Sequence, residues 1–158
     1  KLGMLIAMLF AHRHEGECML IGHHPQKLSL VEDLLAVKLE DHLEKYHNKY
    51  WDFVVDATGH SSGLRTAMRL VKPRGTIVLK STMAHAEALD WTPLVIDEIT
   101  VVGSRCGPFA PALAIKKKKT IPVERLIDEV YALEEAHKAW SKATEPGAKK
   151  VLLQICNN

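Results

Sequence analysis

The segment WDFVVDATG, residues 51–59, decides the fold of this chain. Trp51 to Asp56 carries the strongest strand signal, because aromatic and β-branched side chains favour extended backbone. Two later runs, TIVL at 76–79 and ITVVG at 99–103, predict further buried strands. The three runs are nearly continuous in Val, Ile and Leu, a pattern typical of parallel strands that are covered on both faces.

Helices alternate with these strands along the chain. We predict a helix from the start to residue 14, one from Pro25 to residue 35 and one over 61–71, with short strands at 18–21 and 36–39. The inward positions fall at helical spacing and are Leu28, Val31, Leu34, Leu35, Leu64, Ala67, Met68 and Val71. Pro73-Arg74-Gly75 predicts a turn, and residues 40–50 are polar and weakly helical. The alternation predicts an α/β fold: a doubly wound, mostly parallel sheet with helices on both faces.

The rhythm changes after residue 120. Residues 126–133 have an extended pattern, and 134–143 form an amphipathic helix with Ala136, Ala139 and Trp140 inward. A last strand follows at 151–155.

Composition excludes several classes of protein. The 158 residues are 47% hydrophobic and 25% charged, which suits a packed core. A net charge of +2 is too balanced for a nucleic-acid-binding surface, and no apolar run reaches the ~20 residues that span a bilayer. The three cysteines lack a CxxC spacing, so we expect reduced thiols in a cytoplasmic protein rather than disulfides or a structural zinc site.

Six segments in order carry a resemblance to one family. They are KLG at 1–3, VVDATG at 54–59, LVKPRGTIVLKST at 70–82, DEITVVGSRCG at 97–107, LEEAHKAW at 133–140 and PGAKKVLL at 146–153. Together they resemble the cofactor domain and C-terminal tail of medium-chain, zinc-type alcohol dehydrogenases. The resemblance implies a Rossmann-like dinucleotide-binding domain over 1–120, lacking its first strand, and a tail over 121–158 that in the family packs on the catalytic domain.

The resemblance also places cofactor contacts near the start of the chain. Gly3, beside Leu2, matches the last glycine of a G-x-G-x-x-G fingerprint, whose first strand and other glycines would precede Lys1. Gly22 stands where NAD-specific relatives carry an Asp for the ribose 2′-hydroxyl. His23 follows it, and Lys27 lies one helical turn on, so we expect NADP(H) to be favoured over NAD(H). The alternative is that His23 and His24 are exposed turn residues.

Four later segments complete the implied cofactor site. By resemblance, the adenosine lies against Ala57, Thr58 and Gly59, the nicotinamide borders Leu79, Lys80 and Ser81, its carboxamide lies by Ser104 and Cys106, and the pyrophosphate contacts Lys150 or its neighbour Lys149. Simpler interpretations stay open. Thr58 or Ser61 could merely cap the helix at 61–71, and the lysines could be solvated surface charges.

The resemblance implies hydride transfer between a nicotinamide cofactor and an alcohol or aldehyde. The family's catalytic zinc ligands have no counterpart here, so no catalytic or metal-binding residue is assigned in this chain. We expect a homodimer formed through the strand at 99–103. The alternative is a non-catalytic nucleotide-binding or oligomerisation module. A short-chain dehydrogenase is disfavoured, because neither Tyr46 nor Tyr131 begins a Tyr-x-x-x-Lys motif.

Overall fold

The computed structural model describes residues 1–13, 16–33, 36–39, 51–82 and 88–156. The chain divides into two compact units. One comprises Lys1–Leu39 with Ala110–Asn158, and the other comprises Glu40–Phe109. The resemblance to the family predicts a different division, at residue 120, between a cofactor domain and a C-terminal tail. That division stays a prediction. By contacts, residues 110–158 group with the first 39 residues.

The unit of residues 40–109 is built on a three-stranded parallel sheet. Strands β3 (Trp51–Asp56), β4 (Val71–Leu79) and β5 (Thr100–Gly103) lie in that order, and β4 is central. Helix α3 (Ser61–Leu70) crosses from β3 to β4, and the short helix α4 (Thr92–Ile96) precedes β5. All three predicted strands are therefore present, and the prediction of parallel pairing is confirmed.

The predicted turn at Pro73-Arg74-Gly75 lies inside β4 rather than before it. Val71 pairs with Trp51, and the next pairing joins Thr76 to Phe53, so the intervening residues bulge out of the ladder. Arg74 has a φ of 64°, and its backbone N–H donates to the carbonyl of Asp97 at 2.7 Å. The turn residues thus bend a continuous strand without ending it.

The core of this unit lies between the sheet and one face of α3. Leu64, Ala67 and Met68 of the helix pack with Val71 and Ile77 of β4. The helical spacing predicts the three helix positions, but Val71, predicted as the last inward residue of the helix, is instead the first residue of β4. Partly buried Val54, Leu79, Leu94, Ile99 and Val101 surround them. On the other side of the sheet, Phe53 is 63% exposed and Val102 is 44% exposed.

The other unit opens with helix α1 (Leu2–Arg13), which leads to the parallel pair β1 (Met19–Gly22) and β2 (Ala36–Leu39). Met4 and Met8 on α1 pack with Val31 and Leu126 in its core. His12 and Arg13 close the helix, where positive charge suits the macrodipole. The second predicted helix is much shorter than expected, since α2 covers only Pro25–Leu28 and Ser29 to Asp33 continue as turns. Leu34 and Leu35 lie outside the described residues, as does the stretch 40–50.

Residues 109–156 supply the rest of this unit, with α5 (Phe109–Lys117) crossing the boundary at Phe109. The parallel strands β6 (Ile127–Ala132) and β7 (Lys150–Gln154) are joined by α6 (Ala136–Thr144), close to the predicted bounds. Short 3₁₀ turns occupy Val123–Leu126 and Leu133–Glu135. Ala139 of α6 is buried, but Trp140 is 75% exposed, so the prediction of an inward Trp140 is wrong.

No helix within the described part of the chain is both long and apolar enough to cross a bilayer.

The buried centre of β4 gives a test of the three-stranded sheet. Ile77 has no exposed surface, so Ile77→Ala should lower the free energy of unfolding by about 2–5 kcal/mol through lost burial and a cavity. The matched control is Val55→Ala on the neighbouring strand, whose side chain is 40% exposed and should cost below about 1 kcal/mol. Urea unfolding of the two variants measures both. Equal losses would contradict the assignment of the core.

Candidate functional site

The carboxyl ends of β3, β4 and β5 bring most of the predicted cofactor residues together. Parallel strands end at one edge of a sheet, so the segments that follow them meet there. The register aligns Asp56 with Leu79 and Leu79 with Gly103. The predicted residues gathered at this strand-end cluster are Ala57, Thr58, Gly59, Leu79, Lys80, Ser81 and Ser104. Cys106 is exposed, two residues beyond Ser104.

Asp56 organises the loop after β3 from a buried position. Its side chain is only 4% exposed, and its carboxylate accepts from the Thr58 backbone N–H at 3.0 Å and from the Thr58 hydroxyl at 2.7 Å. A buried carboxylate needs such donors, since unpaired burial of a charge is costly. The predicted site residues include this loop but not Asp56, which supports it. An acidic residue that ends an otherwise apolar strand is the signal that marks it.

Helix α3 starts very close to this loop. A Cβ added to Gly63 would lie 2.1 Å from the Thr58 hydroxyl oxygen and 2.4 Å from an Asp56 carboxylate oxygen. Only glycine therefore allows the first turn of α3 to approach the Asp56–Thr58 pair. The helix is capped by His60, whose ring nitrogen accepts from the Ser62 N–H. The interpretation of Thr58 or Ser61 as the cap is wrong, because His60 occupies the N-cap position.

Backbone and hydroxyl groups join the three strand ends. The Gly59 N–H donates to the Ser81 hydroxyl at 2.8 Å, and the Lys80 N–H donates to the Asp56 carbonyl at 2.8 Å. The Ser104 N–H donates to the Leu79 carbonyl at 2.9 Å. Gly59 has a φ of 75°, a left-handed conformation that favours glycine at this turn. These bonds hold the three loops in one fixed arrangement.

Lys80 is the cation of the strand-end cluster. Its ammonium group reaches across to the segment after β5, where it donates to the Arg105 carbonyl and lies 3.4 Å from the Ser104 hydroxyl. These contacts do not test the simpler interpretation of Lys80 as a solvated loop charge, which stays open. The ammonium nonetheless stays partly open to solvent, so a positive charge borders this edge of the sheet.

The unit of residues 1–39 and 110–158 contains a separate cavity of about 350 Å³. We call it the tail pocket. One wall follows β1 and carries His24, Gln26 and Lys27; the other belongs to the C-terminal segment and carries Asp128, Glu129, Lys142, Glu145, Pro146, Gly147, Ala148 and Lys149. Its volume falls at the lower end of small-molecule sites, which span ~300–1,000 Å³.

The predicted residues near the tail pocket differ in position. Lys27 lines it, whereas His23 is exposed beside His24, and Gly22 ends β1. On the other wall the lining lysine is Lys149; Lys150 is exposed at the start of β7. Leu2 and Gly3 open α1, as the fingerprint alignment expects. The structure contains no cofactor, so the assignment of these residues as cofactor contacts stays a prediction.

Ion pairs dominate the C-terminal wall. The Lys149 ammonium lies 2.6 Å from an Asp128 carboxylate oxygen, with the two side chains 22% and 18% exposed. The hydrogen bond from Lys149 lowers the pKa of Asp128. Lys142 lies 2.8 Å from Glu145 and 3.6 Å from Glu129, and the bond to Glu145 raises the pKa of Lys142.

Among the described residues, no group of three or more His, Cys, Asp or Glu side chains is placed to hold a metal ion. Cys18, Cys106 and Cys156 are all free thiols.

The geometry of the strand-end cluster is that of a known class of domain. Loops gathered at the carboxyl edge of parallel strands, with helices between the strands, are typical of α/β nucleotide-binding domains. Residues 4–117 match the family model of the zinc-binding dehydrogenases, which covers well over half of the chain. The chain belongs to the zinc-binding dehydrogenase family, as the resemblance predicts.

Curated relatives and solved structures agree with this family. Sorbitol dehydrogenase of Bombyx mori is 27% identical over 108 residues, which cover 67% of this chain and 31% of the relative. D-arabinitol dehydrogenase 1 of Uromyces fabae is 29% identical over 108 residues, covering 66% of this chain and 31% of the relative. This chain therefore spans about a third of the length of either enzyme.

Two solved structures show the same fold. A Sinorhizobium meliloti zinc-binding dehydrogenase bound to NADP superposes with a TM-score of 0.84 at 21% identity, covering 98% of this chain and 49% of that one. A structure described as a short chain alcohol dehydrogenase of Escherichia coli CFT073 in complex with NADH gives a TM-score of 0.84 at 17% identity, covering 98% of this chain and 49% of that one. The prediction of a Rossmann-like sheet with helices on both faces is confirmed.

The Asp128–Lys149 pair should make stability depend on pH in the acid range. Because the folded state lowers the pKa of Asp128, the pair stabilises the fold above the unfolded value of about 3.9 and loses this effect as the pH falls through the lower folded value. The difference in unfolding free energy between wild type and Asp128→Asn should be constant near neutral pH. It should shrink below about pH 4, as urea unfolding would measure. A difference that persists unchanged at pH 2 would contradict this assignment.

Proposed function

We propose that this chain binds NADP(H) in preference to NAD(H), within an enzyme that transfers hydride between the cofactor and an alcohol or aldehyde. The observation that carries the cofactor preference is the composition of the wall after β1. Gly22 to Leu28 contains His23, His24 and Lys27 but no carboxylate. An acidic residue at the end of this strand would bind a free ribose 2′-hydroxyl and repel a 2′-phosphate. Its replacement by glycine, together with the ammonium of Lys27, favours the phosphate.

Each unit by itself carries residues that suit one part of a nucleotide. Lys27 and His24 line a cavity large enough for a ribose phosphate, and a lysine suits a phosphate as a point charge. At the strand ends, the loops that the resemblance assigns to adenosine and nicotinamide are fixed by Asp56, Ser81 and Lys80. When bound, the nicotinamide supplies the site that accepts or donates hydride.

Residues of this chain would bind the cofactor and orient it. The Asp56 carboxylate fixes the backbone of Thr58, and the Ser81 hydroxyl fixes that of Gly59, so the loop presents a constant surface. Lys80 fixes the segment after β5 and adds a positive charge at the same edge. Rigid positioning of this kind lowers the entropic cost of reaching a productive geometry.

The names of the two curated relatives suggest the class of substrate. Both curated relatives named above are polyol dehydrogenases, so we propose that the complete enzyme acts on a polyol or a related secondary alcohol. Zinc, as a Lewis acid for the alcohol oxygen, would be held by residues outside this chain.

Two further proposals concern assembly and location. We propose a homodimer through β5, because Val102 is exposed on that strand, and α4 before it exposes Val95 and Ile96 at 78% and 73%. Exposed apolar surface of this kind marks contact sites between proteins. We also propose a cytoplasmic location, since the free thiols suit a reducing compartment.

Activity of the complete enzyme tests the function directly. With sorbitol or D-arabinitol as substrate, the full-length protein should reduce NADP⁺ with a higher kcat/KM than NAD⁺, measured by absorbance of the reduced nicotinamide. Removal of zinc with a chelator should abolish turnover and leave cofactor binding intact. Cofactor binding without turnover on any alcohol would favour the non-catalytic module, and a clear preference for NAD⁺ would overturn the proposed selectivity.

Lys27 tests the tail pocket as the place of selectivity. Lys27→Ala should weaken NADPH binding by about tenfold, the effect of one lost charge-assisted contact, and leave NADH binding within about twofold. Lys117→Ala, an exposed lysine at the end of α5, is the matched control for net charge. Nicotinamide fluorescence titration gives all the constants. If both cofactors weaken equally, Lys27 does not recognise the 2′-phosphate.

A further inference from the structure

The charges of the tail pocket balance. Its lining carries three lysines, Lys27, Lys142 and Lys149, and three carboxylates, Asp128, Glu129 and Glu145. Lys142 forms ion pairs with Glu129 and Glu145, and Lys149 forms one with Asp128. Lys27, on the opposite wall, forms no ion pair with any described residue. A phosphate that enters the pocket can therefore pair directly with the ammonium of Lys27, whereas the ammonium of Lys149 is already neutralised by Asp128.

The bond between Asp128 and Lys149 is the tightest of these pairs. The carboxylate accepts both the ammonium, at 2.6 Å, and the backbone N–H of Lys149. Both side chains are about four-fifths buried, so solvent screens the pair less than it screens an exposed ion pair. Asp128 thus holds the ammonium on the C-terminal wall and places a negative charge beside it.

We propose that Asp128 limits the preference of this chain for NADP(H) by acting as the internal counter-ion of Lys149. With the pyrophosphate assigned to Lys150, Lys149 is left to face the ribose. A 2′-phosphate there has to displace Asp128 from the ammonium and is repelled by the carboxylate, whereas a neutral 2′-hydroxyl meets neither cost. The selectivity is therefore the sum of an attractive wall after β1 and an opposing carboxylate in the C-terminal segment. This inference rests on the proposed function, because it assumes that the ribose lies in the tail pocket.

Two nucleotides isolate the 2′-phosphate from the rest of the cofactor. Adenosine 2′,5′-bisphosphate carries it, and AMP lacks it, so the ratio of their dissociation constants for the full chain measures recognition of that group alone. Isothermal titration calorimetry gives both constants. Asp128→Asn keeps an oxygen that can accept the Lys149 N–H but removes the charge, so the fold of the segment is retained.

We expect Asp128→Asn to raise the bisphosphate preference by about tenfold, a shift equal to one modest charge interaction. Lys149→Met should lower the preference by a similar factor. In the Lys149→Met background, Asp128→Asn should have much less effect, because the carboxylate acts through the ammonium that it neutralises. Glu134→Gln removes an exposed carboxylate outside the pocket and should change the ratio by less than about twofold.

The outcomes separate the two proposals. If the wild-type chain binds neither nucleotide, the proposed function fails and this inference fails with it. If both nucleotides bind and Asp128→Asn leaves their ratio within twofold of wild type, the inference is overturned while the proposed function stands. If Glu134→Gln raises the ratio as much as Asp128→Asn does, net charge is the cause, and Asp128 has no specific role.

Discussion

The buried carboxylate of Asp56 is the constraint on which the strand-end cluster depends. It ends the strand β3 with a carboxyl group that is almost fully buried, so the protein must supply hydrogen-bond donors, and Thr58 supplies two of them. This pairing fixes the backbone that Gly59 and Ser81 then extend to the next strand. Gly63 is part of the same constraint, since any side chain there would occupy the space of the Asp56–Thr58 hydrogen bond.

The arrangement of the parallel sheet converts this local constraint into a site. Asp56, Leu79 and Gly103 are in register across three strands, so the loops that leave them emerge side by side. Each loop is tied to its neighbour by a backbone or hydroxyl bond rather than by packing alone. Such loops keep their geometry without a ligand, and a preformed site loses less entropy on binding.

The sequence predicts those parts of the fold that depend on periodicity. The strand at 51–56 and the helix at 61–70 were predicted to within a residue, because a run of β-branched side chains and a 3.6-residue apolar repeat are local signals. Trp140 shows the limit of this reasoning. It shares the helical spacing of Ala139, yet it is exposed, because position on a face does not show whether another element covers that face.

The candidate site likewise has parts that the sequence predicts and parts that it does not. Glycines and small polar residues after strands are visible in the sequence, and their positions at the strand ends follow from parallel topology alone. The contribution of Asp128 and Lys149 is not visible, because it depends on a contact between β6 and the residue before β7. The choice between Lys149 and Lys150 also depends on structure, since neighbouring residues at the start of a strand point in opposite directions.

The tail pocket gives the C-terminal segment a role that its position in the sequence hides. Its two walls come from residues near position 25 and residues near positions 128–149, about a hundred residues apart, and both belong to one compact unit. The wall that follows β1 can attract a phosphate through Lys27, but the net affinity for the phosphate also depends on the charges of the opposite wall. The opposing charge comes from the other wall, where Asp128 is held by a bond to the backbone as well as to an ammonium. Because the two walls lie on separate segments, substitutions on one can change the preference between cofactors without disturbing the backbone of the other.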